Sequence, residues 1–502
     1  MPKDLAGIGN ATQIAVFFGL LLLVAVLTWW HVRRGSRRSQ HDGSRQDVYL
    51  AAKSLSWPFV AGSITLTNLS TDQLVGMNGN QMLLLAWWEI AGFVGLMVLA
   101  HVFVPLYYRY NCTTVTELLE RRYEGRSIRT LISALFLFGN VLIYLPAALY
   151  SGGLFLQTLF GAEVPLLAFA AILAVISAAY SIFGGLRAVA VMDTFSGVGI
   201  LGLALLIVVL ALAAVDWDII SSVPAERLTM MGGADSPIPF HTLFTGMAFI
   251  QIFYWSTNQN ITQKAMAAPS VAEAKRGVFA AAAIRILVVP PIVVVPGVVA
   301  YKLFGDIGDA AYGRLVAQVL PGWLSGAFAA MVAAAVITTF SAVLNSTIAL
   351  WSVDFHERYI GPVANHWRLG AGLSVVATLL AIALVPLYQN ATSIINLLQQ
   401  LNGLTSMPVL SAFVVGLLFA GVAARAAIAG VLWGISLYGA YSFWWQPAGL
   451  IGLHYIDMML VTLLSSIAVA LIANRVLGGR ARWVGMALFR AAPEAPVAVT
   501  PG

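Results

Sequence analysis

The sequence predicts an all-α, polytopic membrane protein of about thirteen spans, and three observations predict it. Hydrophobic residues make up 60% of the 502 and charged residues only 10%, with a mean hydropathy of +0.86. Soluble chains of this size carry roughly 25% charged residues. The apolar runs reach about 20 residues, the length a spanning helix needs, where a barrel strand needs only about ten. Lys and Arg also segregate to alternate loops, as they do when basic loops stay on the cytoplasmic side.

The first span, 13–33, is followed by Arg33, Arg34, Arg37 and Arg38. A basic cluster after the apolar run, with no small-residue cleavage site before it, argues against a cleaved signal peptide and places the N-terminus outside. Further spans fall near 55–78, 82–106, 128–157, 163–182, 189–214, 240–262, 278–303, 320–350, 369–387, 391–421, 427–444 and 455–474. On that count the inside loops hold 22 of the 27 Lys and Arg, the outside segments hold Lys3, Arg227, Lys302 and Arg314, and Arg285 falls within a span. The net charge of +6 therefore reflects orientation and gives no sign of nucleic acid. Cys112, the single cysteine, lies in an inside loop and allows no intramolecular disulfide. The loop 215–239, with Asp216, Asp218, Glu226 and Asp235, reads as a short outside cap. The Ala- and Pro-rich tail after Arg490 reads as disordered and leaves no room for a soluble catalytic domain.

Within the second span, Ser63–Gln73 reads S-I-T-L-T-N-L-S-T-D-Q, eight polar residues in eleven. Hydrocarbon offers no hydrogen bonds, so such groups must face protein or a water-filled cavity. A second polar run, Ser256–Gln263 (S-T-N-Q-N-I-T-Q), ends the seventh span, five spans later. Paired interruptions at corresponding places in two halves mark the binding site of transporters built from inverted repeats.

Four stretches carry a family resemblance. Tyr49–Gly79 resembles the first core helix of the solute:sodium symporters, in their sodium/sugar cotransporter branch. Ser181–Asp193 (S-I-F-G-G-L-R-A-V-A-V-M-D) is similar to that family's turn into the fifth core helix, Phe253–Ala268 to its sixth, and Ala333–Thr347 to its eighth. The resemblance implies a LeuT-like fold of ten core helices in inverted five-helix repeats, with extra helices at both ends. The expected divisions are 1–54 for the extra N-terminal helix and basic loop, 55–215 and 216–421 for the repeats, 422–478 for the C-terminal helices and 479–502 for a cytoplasmic tail.

The resemblance also implies Na⁺ as the coupling ion, held by the backbone oxygens of Leu66, Leu69 and Ala335 and the hydroxyls of Thr338 and Thr339. The residues suit it. Na⁺ is a hard cation that takes oxygen ligands, and positions 335, 338 and 339 share one helix face. The bland alternative is that both hydroxyls bond back to their own helix. Ser341 is followed by Ala342, where relatives that bind a second sodium carry another hydroxyl, so one Na⁺ per cycle is expected. Asp193 matches an acidic residue on the inner ion pathway.

For the solute, the resemblance points to Gln73, Glu89, Gln251, Tyr254, Arg285 and Gln399. Gln73 can donate and accept for adjacent hydroxyls. Glu89 lies in an apolar span beside Trp87 and Trp88, where a carboxylate must be paired or bonded to ligand; Arg285 is its candidate structural partner. Gln399 is adjacent to Gln400, so its register could slip, and Tyr254 matches an aromatic gate stacked over the sugar. Gln251, Arg285 and Tyr144 stand where close sugar transporters carry Asn, Lys and a smaller amide.

The expected function is Na⁺-coupled symport of a neutral monosaccharide such as glucose or galactose, at a bacterial inner membrane, with the C-terminus cytoplasmic. Another Na⁺-coupled solute (a polyol, nucleoside or carboxylate) is the alternative. A channel would need a continuous polar stripe, whereas the polar residues here cluster near mid-membrane. An intramembrane enzyme would need a motif such as H-E-x-x-H or G-x-S-x-G, and neither occurs. A transporter-derived sensor would need an output domain, and the tail is short.

Overall fold

A computed structural model describes residues 3–36, 49–69, 71–160, 164–389 and 393–485. The described chain is almost entirely helical, as it must be where no water satisfies the backbone. Ten helical segments are long and apolar enough to cross a membrane. The expected thirteen spans are therefore not reproduced as thirteen membrane-length helices, and the reasons are local. The expectations at 55–78 and 240–262 are each interrupted. Those at 163–182 and 189–214 run together in one 48-residue element.

In chain order, α1 (Lys3–Ser36) is followed by the interrupted pair α2 (Trp57–Asn68) and α3 (Thr71–Gly79). Pro58 sits in the first turn of α2, where its missing N–H costs nothing. Next come α4 (Trp87–Val98), α5 (Arg126–Gly139), α6 (Leu145–Phe160) and α7 (Leu166–Ala213). At about 1.5 Å per residue α7 would span about 72 Å, over twice the hydrocarbon thickness. Gly185 breaks it at φ 59°, ψ −169°, a conformation that only glycine adopts freely.

The second interrupted pair is α8 (Gly246–Ser256) and α9 (Gln259–Met266). Then follow α10 (Val271–Leu287), α11 (Val289–Phe304), α12 (Gly322–Leu350), α13 (His366–Tyr388), α14 (Ile394–Leu418), α15 (Ala424–Ala440) and α16 (Tyr455–Val476). The central stretch of α12 is buried among other helices, with α1, α2, α6 and α7 packed around it. Small residues allow that approach, as in the run Ala333-Ala334-Ala335.

The loop 215–239 folds back over one end of the bundle, as expected of a cap. Trp87 Nε1 donates to the Met230 carbonyl at 2.8 Å, and Arg227 meets Asp306 at 2.8 Å with its guanidinium 3.9 Å over the Tyr301 ring. At the other end Asp354 is fully buried and accepts from Arg129, Ser133, Thr114 and Thr116. The tail after Arg490 lies outside the described residues.

Candidate functional site

Both polar runs are helix breaks. α2 stops at Asn68 because Leu69 leaves the helical region (φ −76°, ψ 58°), and α3 resumes at Thr71. α8 stops at Ser256; Thr257 and Asn258 leave the helix, and the Asn258 side chain caps α9 by accepting from Asn260 N at 2.9 Å. Asn258 is a strong cap because its oxygen satisfies a donor that the new helix start would otherwise orphan.

A cavity lies between the breaks. Its polar lining comes from Asn68, Asp72 and Gln73 beside the first break, Gln251 and Asn260 flanking the second, Arg285 on α10, and Gln399 and Asn402 on α14. Trp88, Tyr144 and Tyr254 supply aromatic walls. It holds about 80 Å³, short of the roughly 300–1,000 Å³ of small-molecule sites. A monosaccharide therefore fits only if the side chains that knit the walls together move apart.

Those side chains bond to one another in small groups. In the orientation that satisfies both ends of its amide, Asn68 donates to the Tyr254 hydroxyl at 3.1 Å and accepts from Gln73 Nε2 at 2.8 Å and from the Arg285 guanidinium. Gln251 Nε2 donates to the Trp88 carbonyl at 2.8 Å, and its oxygen accepts from Trp255 Nε1 at 2.9 Å. Gly95 permits this, since a Cβ there would fall 2.2 Å from the Gln251 carbonyl oxygen. Tyr144 donates to Asn402 Oδ1 at 2.7 Å, and Asn402 Nδ2 donates to Gln399 Oε1 at 3.2 Å.

Glu89 is fully buried, ion-paired to Arg285 Nη2, and is not among the residues lining the cavity. Arg285 stacks 4.3 Å over the Trp255 ring. The structural partnership weighed for Glu89 is thus formed, and Glu89 backs the cavity through Arg285. Of the two adjacent glutamines on α14, Gln399 lines the cavity and Gln400 does not.

The residues expected to hold Na⁺ lie where α12 packs against α2. Thr338 Oγ1 donates to the Ala335 carbonyl at 3.1 Å, so the back-bond does form there. A hydroxyl that donates still presents lone pairs, so the bond does not disqualify it as a ligand. Thr339 Oγ1 is buried without a hydrogen-bond partner and lines the cavity. The donor set (two hydroxyls and the carbonyls at a helix break) is all oxygen, as a hard monovalent cation requires.

Asp193 lies on α7 with no exposure. Its Oδ2 accepts from Ser63 Oγ at 2.7 Å and from Lys264 Nζ at 3.1 Å, and Lys264 also donates to the Ser63 carbonyl at 3.1 Å. Lys264 was not singled out from the sequence, though it directly follows the second polar run. Asn68, Asp72 and Asn402 were also missed as cavity residues. Asn402 lies three residues from Gln399, on the same face of a helix, and that spacing is the signal that could have found it.

Comparison with known proteins agrees with this geometry. Residues 48–434 match the family model described as "Sodium:solute symporter family". The chain is 35% identical over 444 residues to the uncharacterized symporter YidK of Escherichia coli, covering 83% of this chain and 76% of the relative. It is 28% identical over 497 residues to the sodium/glucose cotransporter of Vibrio parahaemolyticus, covering 91% and 89%. A solved structure of a substrate-bound, outward-open Na⁺-coupled sialic acid symporter superposes with a TM-score of 0.78 at 17% identity, covering 94% of this chain and 99% of that one, a likeness of fold. With two broken helices at the centre of a LeuT-like fold, this chain belongs to the sodium:solute symporter family, as a multi-pass transporter that couples a solute to Na⁺ and not as an enzyme.

Proposed function

We propose that the coupled solute is a neutral sugar of monosaccharide size. The observation that carries this reading is the chemistry of the central cavity. Six amides (Asn68, Gln73, Gln251, Asn260, Gln399 and Asn402) and four aromatic side chains (Trp88, Tyr144, Phe253 and Tyr254) line it, and its one lining cation, Arg285, is matched by Glu89 behind it. Amides offer a donor and an acceptor on adjacent atoms, which suits vicinal hydroxyls, and flat rings suit the apolar faces of a pyranose. A carboxylate solute would meet Asp72 in the cavity and an Arg285 already paired. The glucose transport named for the Vibrio relative supports the same class.

In this reading Leu66, Leu69, Ala335, Thr338 and Thr339 hold one Na⁺, and Gln73, Gln251, Arg285 and Gln399 hold the sugar, with Glu89 acting on it through Arg285. Tyr254 closes the cavity through Asn68. Sodium binding draws the break after α2 onto α12 and sets Gln73 for the sugar. The ion shifts the conformational equilibrium by its differential affinity for the two states. A membrane potential of about 100 mV adds roughly 2.3 kcal/mol per translocated charge. The repeats at 55–215 and 216–421 rock about this centre. The protein sits in a bacterial inner membrane with the N-terminus outside and the C-terminus cytoplasmic.

Uptake into proteoliposomes tests it, using a panel of labelled hexoses, a cyclic polyol, a nucleoside and a sugar acid, with and without an inward Na⁺ gradient. A hexose accumulated only with the gradient is the expected result. Gradient-driven uptake of the sugar acid with no hexose uptake would overturn the neutral-sugar assignment.

A further inference from the structure

Most of the amides that line the central cavity are already committed. The oxygens of Gln251, Asn402 and Gln399 accept from Trp255, Tyr144 and Asn402, and that of Asn68 accepts from Gln73 and Arg285. Each must give up a bond before it can accept one from a solute. Asn260 differs. It lines the cavity from the first turn of α9, and its Oδ1 is buried with no donor among the described residues. A buried acceptor left unpaired is costly, so such a group in a binding cavity marks a place for a donor.

The other end of this amide is held. Asn260 Nδ2 donates to Asn140 Oδ1 at 3.1 Å, and Asn140 Nδ2 donates to Thr347 Oγ1 on α12 at 3.1 Å. The direction of this relay is set by its last member. The Thr347 hydroxyl gives its single proton to the Val343 carbonyl at 2.8 Å, so toward Asn140 it can only accept. That turns Asn140 Oδ1 to Asn260, which answers with Nδ2 and keeps its own oxygen for another donor. Asn140 is buried and opens a π-turn, Asn140–Tyr144, between α5 and α6. Such turns are rare inside helices and are frequent at functional sites. The far end of this one is Tyr144, a wall of the cavity, whereas neither Asn140 nor Thr347 lines it.

We propose that Asn260 is a specificity-determining residue whose Oδ1 accepts a hydrogen bond from one hydroxyl of the solute, and that Asn140 and Thr347 are positioning residues that keep the amide turned that way. The proposal rests on the neutral-sugar reading above. The anchor of Asn260 lies behind the cavity wall. A hydroxyl that enters the cavity therefore meets an acceptor whose orientation is already fixed, which lowers the ordering cost of binding.

The test is uptake by the full-length protein in proteoliposomes under an inward Na⁺ gradient, with labelled D-glucose, D-galactose and the monodeoxy analogues of each. The wild type should show a KM about tenfold higher for the analogue that lacks the hydroxyl bonded to Asn260, as the loss of one hydrogen bond implies. Asn260→Ala should raise the KM of the parent sugar to that of the analogue and so erase the difference. Thr347→Val frees Asn140 to turn and should shrink the difference from outside the cavity. A merely structural role would lower kcat for sugar and analogue alike and leave their KM ratio unchanged. Wild-type discrimination retained in Asn260→Ala overturns the assignment, as does a wild type that takes every analogue as well as the parent sugar. An unchanged KM ratio in Thr347→Val overturns the positioning role, and it overturns the whole proposal where Asn260→Ala does not fold. Uptake of no hexose by the wild type would instead sink the sugar reading, and this assignment with it.

Discussion

Lys264 Nζ lies 3.1 Å from Asp193 Oδ2, and neither side chain has any exposure. The pair joins the second broken helix to α7, and through Ser63 it also holds α2, one turn before Leu66. If Asp193 stands on the ion pathway, the fixed ammonium sets how attractive it is to a passing Na⁺. Lys264→Gln bares the carboxylate and should lower the half-saturating Na⁺ concentration. Asp193→Asn bares the ammonium and should raise it, each by about tenfold for about 1.4 kcal/mol. The double variant should return toward the wild type. Sodium binding to the purified protein without sugar is the readout. Losses of the same sign in both single variants would mark the pair as purely structural, since breaking a buried pair costs about 3–5 kcal/mol whichever partner is removed.

Glu89 and Arg285 allow a similar separation of support from contact. Because Arg285 lines the cavity and Glu89 stands behind it, Glu89→Ala should abolish transport and lower the melting temperature, leaving a buried guanidinium unmatched at about 3–5 kcal/mol. The double variant Glu89→Gln with Arg285→Gln removes both charges. It should recover most of the thermal stability without recovering sugar binding. Recovered binding would show that neither charge is needed to recognise the solute.

The two breaks were legible in the sequence because polar side chains in a span have nowhere to go except a cavity, so Ser63–Gln73 and Ser256–Gln263 announce themselves without any partner. Arg285 was likewise conspicuous as the one basic residue within a span. What pairs across the bundle was less legible. Lys264 and Asp193 are 71 positions apart, and nothing in local spacing joins them. The choice between Gln399 and Gln400 needed the direction each faces on α14. The membrane-length helices number fewer than the expected thirteen spans where helices are broken or merged, at Leu69, Thr257 and Gly185, since hydropathy does not register a change of φ and ψ.

Thr339 carries the sharpest sodium prediction. Its hydroxyl is buried and unpartnered, so Thr339→Ala removes a candidate ligand without breaking a hydrogen bond. The half-saturating Na⁺ concentration for uptake should rise about tenfold or more, as expected for the loss of one bond to a charge at about 1.5–3 kcal/mol. Thr339→Ser keeps the oxygen and should stay near the wild type. Thr338→Val should also weaken Na⁺, with an added stability cost from losing the bond to the Ala335 carbonyl. Unchanged sodium dependence in Thr339→Ala would exclude this hydroxyl from the ion's shell.

Asp309 predicts a pH dependence on the capped side. It lies in the loop between the spans Val271–Phe304 and Gly322–Ile360, and its Oδ2 accepts from Ile394 N at the start of α14 at 2.9 Å. Gly79 at the end of α3 packs so closely that a Cβ there would fall 2.4 Å from Asp309 Oδ1. Burial pushes this carboxyl up from 3.8 to about 7, against the opposing effect of the Ile394 bond. A raised pKa means that the folded state holds the proton more tightly than the unfolded one. The stability it contributes is full below about pH 4 and is lost as pH rises through about 7. The melting temperature should therefore fall between those limits by the equivalent of a few kcal/mol, at about 1.4 kcal/mol per unit. Asp309→Asn keeps an acceptor for Ile394 N but cannot ionise. It should flatten the profile and melt higher than the wild type at pH 8. Parallel melting curves for the two proteins from pH 5 to pH 8 would show that Asp309 stays charged where it is buried, and that the contact with Gly79 and α14 tolerates the charge.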